Sequence, residues 1–403
     1  MSSASSPRNK PLSAEGGAAG SGPAFGLGFP PEYLEYRKES SEPAIQDERV
    51  LRFFFTVLRG KDVPVLLRYI LRRLALMVIL LLGVSVLVFM ISHFVPSNPA
   101  AANLSQTALN DPEIVAAYEA KWGLDKPVWE QYLIYMKNIL VEHDLGTSIR
   151  TGRPVLEELK QYFPATLELS VFAMLIAIVF GIAFGVISAI FQNRPIDQIL
   201  RTISVSGVSL PSFWFALLMM NLFCNVFQIF PSGNRFNPRF FNPAGGTGLY
   251  VLDAISWGNW PLLGDVLSHL FLPALVLGFF TMGLITRQTR SNLLEVMSSD
   301  YIRTARSKGM KESRVVVRHA LGNALVPVIT VSGMGFCNLL GGMVFVEKIF
   351  SWPGIGQYAY LAAVNLDFPA ICGVSLLIAL TYVIINLVID ILYGVIDPRI
   401  RFQ

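Results

Sequence analysis

The sequence predicts an all-α polytopic membrane protein with six transmembrane helices and both termini in the cytoplasm. Of its 403 residues, 53% are hydrophobic and only 15% are charged, whereas about a quarter of the residues in soluble globular chains are charged. The apolar residues are concentrated in uninterrupted runs of about 20 residues, the length that crosses a bilayer as a helix. These two observations exclude an ordinary water-soluble domain.

Six apolar runs are the predicted spans. The first follows Arg72 and Arg73 and is too long for the apolar region of a signal peptide. The spans cover approximately 74–95, 167–190, 203–229, 267–286, 320–346 and 370–393.

Proline and glycine mark special points in these spans. Pro211, Pro273 and Pro327 lie in or near span interiors, where a missing N–H predicts a kinked helix. Gly181 and Gly185 form a small-xxx-small pair that indicates close helix packing, with a dimer contact as the minority interpretation.

The chain divides into two parts. Residues 1–66 are predicted to be a cytoplasmic N-terminal extension, largely disordered, within which 47–60 fits an interfacial helix. Residues 67–403 are the predicted transmembrane domain. It includes an external loop over 96–164, with helical patterns at 112–123 and 129–140, and a cytoplasmic loop over 287–318.

The distribution of Lys and Arg supports this orientation. With six spans and the N-terminus inside, 23 of the 32 basic residues fall in cytoplasmic segments and nine in external loops. Cytoplasmic loops of membrane proteins carry such an excess. The net charge of +4 gives no reason to expect a nucleic-acid partner.

Several chemistries lack the residues that they need. The sequence contains no G-x-x-x-x-G-K-[ST] phosphate loop, so we expect no ATP hydrolysis by this chain. Cys224, Cys337 and Cys372 show no metal-ligand spacing, so no metal site is predicted. No charge lies in mid-span, and Glu168, at the outer end of its span, is expected to reach the headgroups. This pattern counts against a proton-coupled carrier, while a sodium-coupled carrier that uses backbone carbonyls stays open.

Uncharged polar residues within the spans are candidates for a translocation pathway. Each of them is more often an interhelical hydrogen-bonding residue than a pathway-lining group. They are Asn221, Thr330, Ser332, Asn338, Thr381 and Asn386.

The stretch DYIRTARSKG predicts a short capped helix. Asp300 fits the N-cap and Gly309 fits the C′ position, where a left-handed residue ends a helix. The residues between would form about two turns, roughly 12 Å long, made basic by Arg303, Arg306 and Lys308. Two interpretations follow: a solvated loop that obeys the positive-inside rule, or a docking element for a soluble partner.

Several motifs resemble one family in the same order. The segment SDYIRTARSKGMKESRVVVRHALGNALVPVIT resembles the coupling loop of binding-protein-dependent ABC importers, in the branch for dipeptides, oligopeptides and nickel. Arg303, Thr304, Ala305 and Gly309 occupy the positions of the general Glu-Ala-Ala and Gly motif. Further matches, over most of 68–403, are WGLDKPVWEQY, DLGTSIRTGRPV, PATLEL, EKIFSWPGIG and DPRIR.

The resemblance is to the first of two permease subunits in such importers. It implies a second homologous permease, two cytoplasmic ATPases that carry ATP and magnesium, an external solute-binding protein, and a bacterial inner membrane. It implies di- or oligopeptides as cargo, with nickel chelates, glutathione or oligosaccharides as alternatives and a stand-alone carrier as a less favoured one.

The resemblance also assigns a role to the short helix. Ala305 is expected to leave room for a groove wall of the ATPase and Gly309 to let the backbone turn sharply. Either Ala305→Arg or Gly309→Val is therefore expected to leave the complex assembled but to lower transport-coupled ATP turnover. The residues implied in docking are Asp300, Tyr301, Arg303, Thr304, Ala305, Arg306, Lys308 and Gly309.

Overall fold

The computed structural model describes residues 63–94, 104, 106–122, 126–237, 239–240, 246–341 and 344–396. The predicted interfacial helix at 47–60, most of the predicted N-terminal extension and the closing DPRIR lie outside these residues.

The described residues are organised as helices joined by short connections. In chain order the helices are α1 (Val63–Phe94), α2 (Gln106–Leu109), α3 (Pro112–Trp122), α4 (Val128–Leu140), α5 (Val155–Ile190), α6 (Pro195–Ser209), α7 (Ser212–Met220), a π-helix (Asn221–Val226), α8 (Tyr250–Ser256), α9 (Trp260–Met297), α10 (Asp300–Ser307), α11 (Glu312–Arg314), a second π-helix (Val315–Ala320), α12 (Leu321–Ala324), α13 (Val326–Leu340), α14 (Val344–Ile349), α15 (Ile355–Val364) and α16 (Phe368–Ile396).

Among the described residues, four helices are individually long and apolar enough to cross a membrane: α1, α5, α9 and α16. Three of them, α1, α5 and α9, extend well beyond the predicted spans, and α1 begins at Val63 rather than near residue 74. Helix α5 begins at Val155, within the predicted external loop, because Pro154 at the N-cap and acidic residues in the first turn favour a start there. Helix α9 continues to Met297, so the predicted cytoplasmic loop begins as helix.

Two further candidate crossings are bent helix pairs. Helices α6 and α7 meet at 110°, with Pro211 at the N-cap of α7. The segment Glu312–Ala324 meets α13 at 56°, with Pro327 in the first turn of α13. Both breaks lie where the sequence places a proline, whereas α9 continues as helix through Pro273. Counting each pair as one crossing gives the six predicted spans, and counting only unbroken helices gives four.

The centre of the fold is the contact between α5 and α9. A Cβ on Gly181 would lie 2.7 Å from Ile285 Cγ2, and a Cβ on Gly185 would lie 2.5 Å from Thr289 Cβ. Only glycine lets the two helices approach this closely. The predicted close packing is therefore confirmed, within one chain.

Two apolar cores flank this contact. The main core follows α5 and α9 and includes Leu169, Leu277 and the buried Trp352. A smaller cluster, here called the loop core, packs the short helices against the ends of α5 and α9. It consists of Ala189, Leu293, Ile302, Ala305, Val315, Val316, Ala320 and Ala324.

Candidate functional site

The short basic helix α10 begins one residue earlier than a cap at Asp300 would place it. Ser299 is the N-cap, with extended backbone, and Asp300 is the first helical residue. The Asp300 side chain is 97% exposed and lies 3.4 Å from Arg303 Nη1. Ser299 Oγ donates to the carbonyl of Val296 at 2.5 Å. The predicted side-chain cap is therefore wrong, because the carboxylate faces solvent and Arg303 rather than the free N–H groups.

The C-terminal end of α10 follows the prediction. Lys308 N–H donates to the Thr304 carbonyl at 3.1 Å, and Gly309 N–H donates to the Arg306 carbonyl at 2.9 Å. Gly309 has a φ of +73°, the left-handed conformation that glycine adopts without steric cost. The chain therefore turns sharply after two helical turns.

One face of α10 belongs to the loop core. Ile302 is fully buried and Ala305 is only 7% exposed. Ala305 packs against this chain, so its small size serves internal packing rather than the approach of a partner. The effect of Ala305→Arg on assembly stays a prediction, and the burial of Ala305 counts against intact assembly, because an arginine there would place a charge in an apolar core.

The other face of α10 is exposed and basic. Arg303, Thr304 and Lys308 are exposed, and Tyr301 is 45% exposed. The Tyr301 hydroxyl accepts a hydrogen bond from Asn323 Nδ2 at 2.9 Å. The Arg306 side chain is paired with Glu312 and is not available in the same way.

Arg306 forms a bidentate pair with Glu312, through Nη2 at 2.6 Å and Nε at 3.1 Å. This pair joins α10 to α11 within the chain. The basic groups of α10 that remain for an acidic partner are therefore Arg303 and Lys308.

A buried carboxylate joins the helices beside α10. Asp197 is fully buried and accepts from Arg290 Nε and Nη2, both at 2.9 Å. It also accepts from Ser188 Oγ at 2.5 Å and from Asn193 N–H at 2.9 Å. The cluster ties α6 to the ends of α5 and α9. Sequence reasoning missed it because Asp197 and Arg290 are 93 residues apart.

The pathway candidates do not form one group. Thr330, Ser332 and Asn338 lie on α13, which packs against α16, the helix of Thr381 and Asn386. The Thr381 hydroxyl donates to the carbonyl of Leu377, on its own helix, at 2.7 Å.

Asn221 begins the first π-helix. Asn225 Nδ2 donates to Asn221 Oδ1 at 3.3 Å. For Thr381 and Asn221, the hydrogen bonds that the structure shows are thus within a helix rather than between helices. Their role in a pathway stays a prediction.

Two motifs that are far apart in the sequence meet at the predicted external end. Thr166, of PATLEL, donates from Oγ1 to Glu347 Oε1 at 2.8 Å and accepts from Ile355 N–H at 2.7 Å. Trp352 Nε1 donates to the carbonyl of Ala165 at 2.9 Å. Burial raises the pKa of Glu347 to about 7, although the hydrogen bonds from Thr166 and from the Gln357 N–H oppose the rise.

Glu168 also differs from its prediction. Its side chain is buried and pairs with Arg235 Nη2 at 2.5 Å, and its other carboxylate oxygen accepts from Val251 N–H at 2.7 Å. The Arg235 guanidinium lies 3.8 Å from the centre of the Tyr250 ring. The expectation that Glu168 reaches the headgroups is wrong, because Glu168 is buried and its carboxylate is paired with Arg235 and Val251.

Comparison with known proteins gives two family-model matches. The model for the binding-protein-dependent transport system inner membrane component matches residues 181–402. The model for the N-terminal part of such membrane components matches residues 66–170.

Curated relatives cover most of the chain. The dipeptide transport system permease protein DppB of Alkalihalophilus pseudofirmus is 44% identical over 84% of this chain and 100% of its own. The probable D,D-dipeptide transport system permease protein DdpB of Escherichia coli K12 is 44% identical over 80% of this chain and 94% of its own. The glutathione transport system permease protein GsiC of Salmonella choleraesuis is 36% identical over 84% and 100%.

Among solved structures, the inward-facing MetNI methionine ABC transporter is similar, with a TM-score of 0.46, 15% identity, and coverage of 60% of this chain and 97% of that one. The two family models match residues 66–170 and 181–402, and the first of these relatives covers 84% of the chain. This chain belongs to the inner-membrane permease family of binding-protein-dependent ABC transport systems.

Proposed function

We propose that this chain is the permease subunit of a binding-protein-dependent importer for di- or oligopeptides. The observation that carries this proposal is the 44% identity to two dipeptide permease proteins over nearly their whole length. The chain would form half of the translocation pathway in a bacterial inner membrane. A second homologous permease would form the other half.

The proposal assigns ATP hydrolysis to partner subunits. Two cytoplasmic ATPases would bind ATP and magnesium, and this chain would bind neither. An external solute-binding protein would deliver the peptide. The glutathione permease among the relatives supports glutathione as the alternative cargo. Nickel chelates, oligosaccharides and a stand-alone carrier activity are the further alternatives.

The exposed face of α10 is the proposed contact for an ATPase. Arg303 and Lys308 are exposed basic groups without a strong internal partner, and they suit an acidic groove. The buried face fixes α10 to the loop core through Ile302 and Ala305. Closure of the ATPase dimer would therefore move α10 together with the ends of α5 and α9 and reorient the spans.

Charge reversal on α10 tests this contact. In the assembled complex in proteoliposomes, Arg303→Glu combined with Lys308→Glu is expected to lower ATP-dependent uptake of a labelled dipeptide by about tenfold or more, since like-charge juxtaposition at an interface costs several kcal/mol. Lys311→Glu is the matched control, because Lys311 is exposed in the same loop but outside α10. Equal uptake by all three proteins, at equal content of this chain, would contradict the docking assignment.

The substrate assignment has a separate test. Unlabelled di- and tripeptides should strongly reduce the uptake of labelled dipeptide, whereas glutathione or a nickel chelate should reduce it only weakly. Competition by glutathione alone would replace peptide as the cargo and leave the importer assignment intact. Uptake by this chain alone, driven by an ion gradient without ATP, would overturn the importer.

A further inference from the structure

An apolar cavity lies between α1, α4, α5 and α16, away from α10. Its volume is about 520 Å³, within the range of sites that bind small molecules. The lining is apolar except for three polar residues, Ser85, His143 and Lys160. Such a cavity suits a hydrocarbon ligand with one polar end.

The cavity lies at the depth of acyl chains. On α1 it is lined from Val78 to Ser85, in the middle of an apolar candidate span, and on α16 from Gly373 to Leu380. Seven residues of helix correspond to about 10 Å along its axis. On both helices, the lining stretch therefore lies within a candidate membrane span.

Helix α4 closes the cavity near the membrane surface. Ser85 Oγ and the Tyr132 hydroxyl lie 2.8 Å apart and join α1 to α4. Trp129, Leu133 and Leu140 on α4 are each more than half exposed. An exposed apolar face with a tryptophan is typical of a helix that lies in the membrane interface.

The two charged or chargeable lining residues are available to a ligand. Lys160 and His143 are exposed, and within the described residues neither side chain makes a hydrogen bond or an ion pair. Lys160 lies seven residues, or about 10 Å, before the predicted start of the span at residue 167. It is therefore on the water side of the hydrocarbon layer, from where a long lysine side chain can reach the headgroups. Ser85, in contrast, also donates to the Leu82 carbonyl at 2.8 Å and is occupied.

We propose that this cavity binds one acyl chain of an anionic phospholipid, with the phosphate held by Lys160 and His143. The apolar lining accounts for the chain, and the two N–H donors at the mouth account for a negatively charged headgroup. The site is separate from the proposed transport function and does not depend on it.

Photolabelling of the intact wild-type complex tests the site without a variant. The probe is phosphatidylglycerol with a diazirine near the middle of one acyl chain. Labelling is expected to be stronger at Leu81 and Leu377, which line the cavity, than at Leu87. Leu87 is the reference site because it is 62% exposed on α1 and lies outside the cavity. Excess phosphatidylglycerol should reduce the labelling at Leu81 and Leu377 more than excess phosphatidylcholine. Equal labelling at all three sites would overturn the proposal.

Variants locate the headgroup contact. Lys160→Gln should weaken retention of phosphatidylglycerol, measured by native mass spectrometry of the complex, by about fivefold, the effect of one basic residue near an anionic lipid. Lys126→Gln, on an exposed lysine outside the cavity, is the control and should not change retention. Equal loss in both variants, or a cavity filled by a protein segment in a structure of the complex, would refute the lipid assignment.

Discussion

Glu347 is a carboxyl group whose surroundings favour the protonated form. It is 1% exposed, and Gly354 stands so close that a Cβ there would lie 2.5 Å from both carboxylate oxygens. Thr166 and the Gln357 N–H each supply one hydrogen bond. These contacts do not outweigh burial, so the pKa is raised from 4.5 to about 7.

This raised pKa predicts a pH-dependent stability. Because the folded state holds the proton more tightly than the unfolded state, the stabilisation is complete below about pH 4.5 and is lost as the pH rises through 7. The loss for a shift of this size is about 3 kcal/mol. Thermal unfolding of the complex between pH 5 and 8 should therefore show a declining midpoint that flattens in Glu347→Gln. Parallel pH profiles for wild type and variant would contradict this prediction.

Gly354 gives a second prediction at the scale of one residue. The Cβ of Gly354→Ala would contact Glu347 and Thr166 oxygens at 2.5 Å, so we expect a destabilisation of about 1–3 kcal/mol from overpacking. Gly264→Ala is the control, because a Cβ at this helical position would have no neighbour within 4 Å. Thermal unfolding of both variants measures the difference, and an equal midpoint would show that the motif relaxes around the methyl group.

At the scale of elements, local sequence patterns predict some features of the fold correctly but cannot predict contacts between distant residues. The end of α10 at Gly309 and the α5–α9 approach at Gly181 follow from short spacings and residue size, so both could be predicted. The Asp197–Arg290 and Glu347–Thr166 pairs join residues 93 and 181 positions apart. No local pattern predicts which distant groups meet, and the buried position of Ala305 likewise depends on where the loop core packs.

The α5–α9 contact predicts a strong effect of side-chain size. Gly185→Leu would force Thr289 and the Thr286 carbonyl, both within 3 Å of a Cβ, away from α5. We expect the amount of folded complex to fall several-fold, because the backbone of α9 cannot move out of the way as easily as a flexible side chain. Gly83→Leu on α1, which has open space around it, should leave the yield near that of the wild type. Size-exclusion chromatography of both variants at equal expression compares them, and equal yields would refute the tight contact.

At the scale of the whole molecule, the first bent pair, α6 with α7, decides on which side of the membrane α10 lies. If both pairs cross, the chain has six spans and α10 is on the same side as the N-terminus. If each pair enters and leaves on one side, α9 crosses in the opposite direction and α10 is outside. In that arrangement the two basic residues of 230–266 move inside and the eight of 287–318 move outside, which gives 17 inside and 15 outside. The basic bias of 23 to nine would vanish, so the positive-inside rule favours six crossings.

Cysteine labelling in intact cells tests this topology. The background is Cys224→Ser, in which the remaining cysteines, Cys337 and Cys372, are buried. In this background, Ser307→Cys on the exposed face of α10 is expected to react with a membrane-impermeant maleimide only after the cells are permeabilised. Lys126→Cys, in the predicted external loop, should react at once and is the control for access. Immediate labelling of Ser307→Cys would place α10 outside, where no cytoplasmic ATPase can reach it. The coupling role of α10 would then fail together with the six-span topology, because both require the first bent pair to cross.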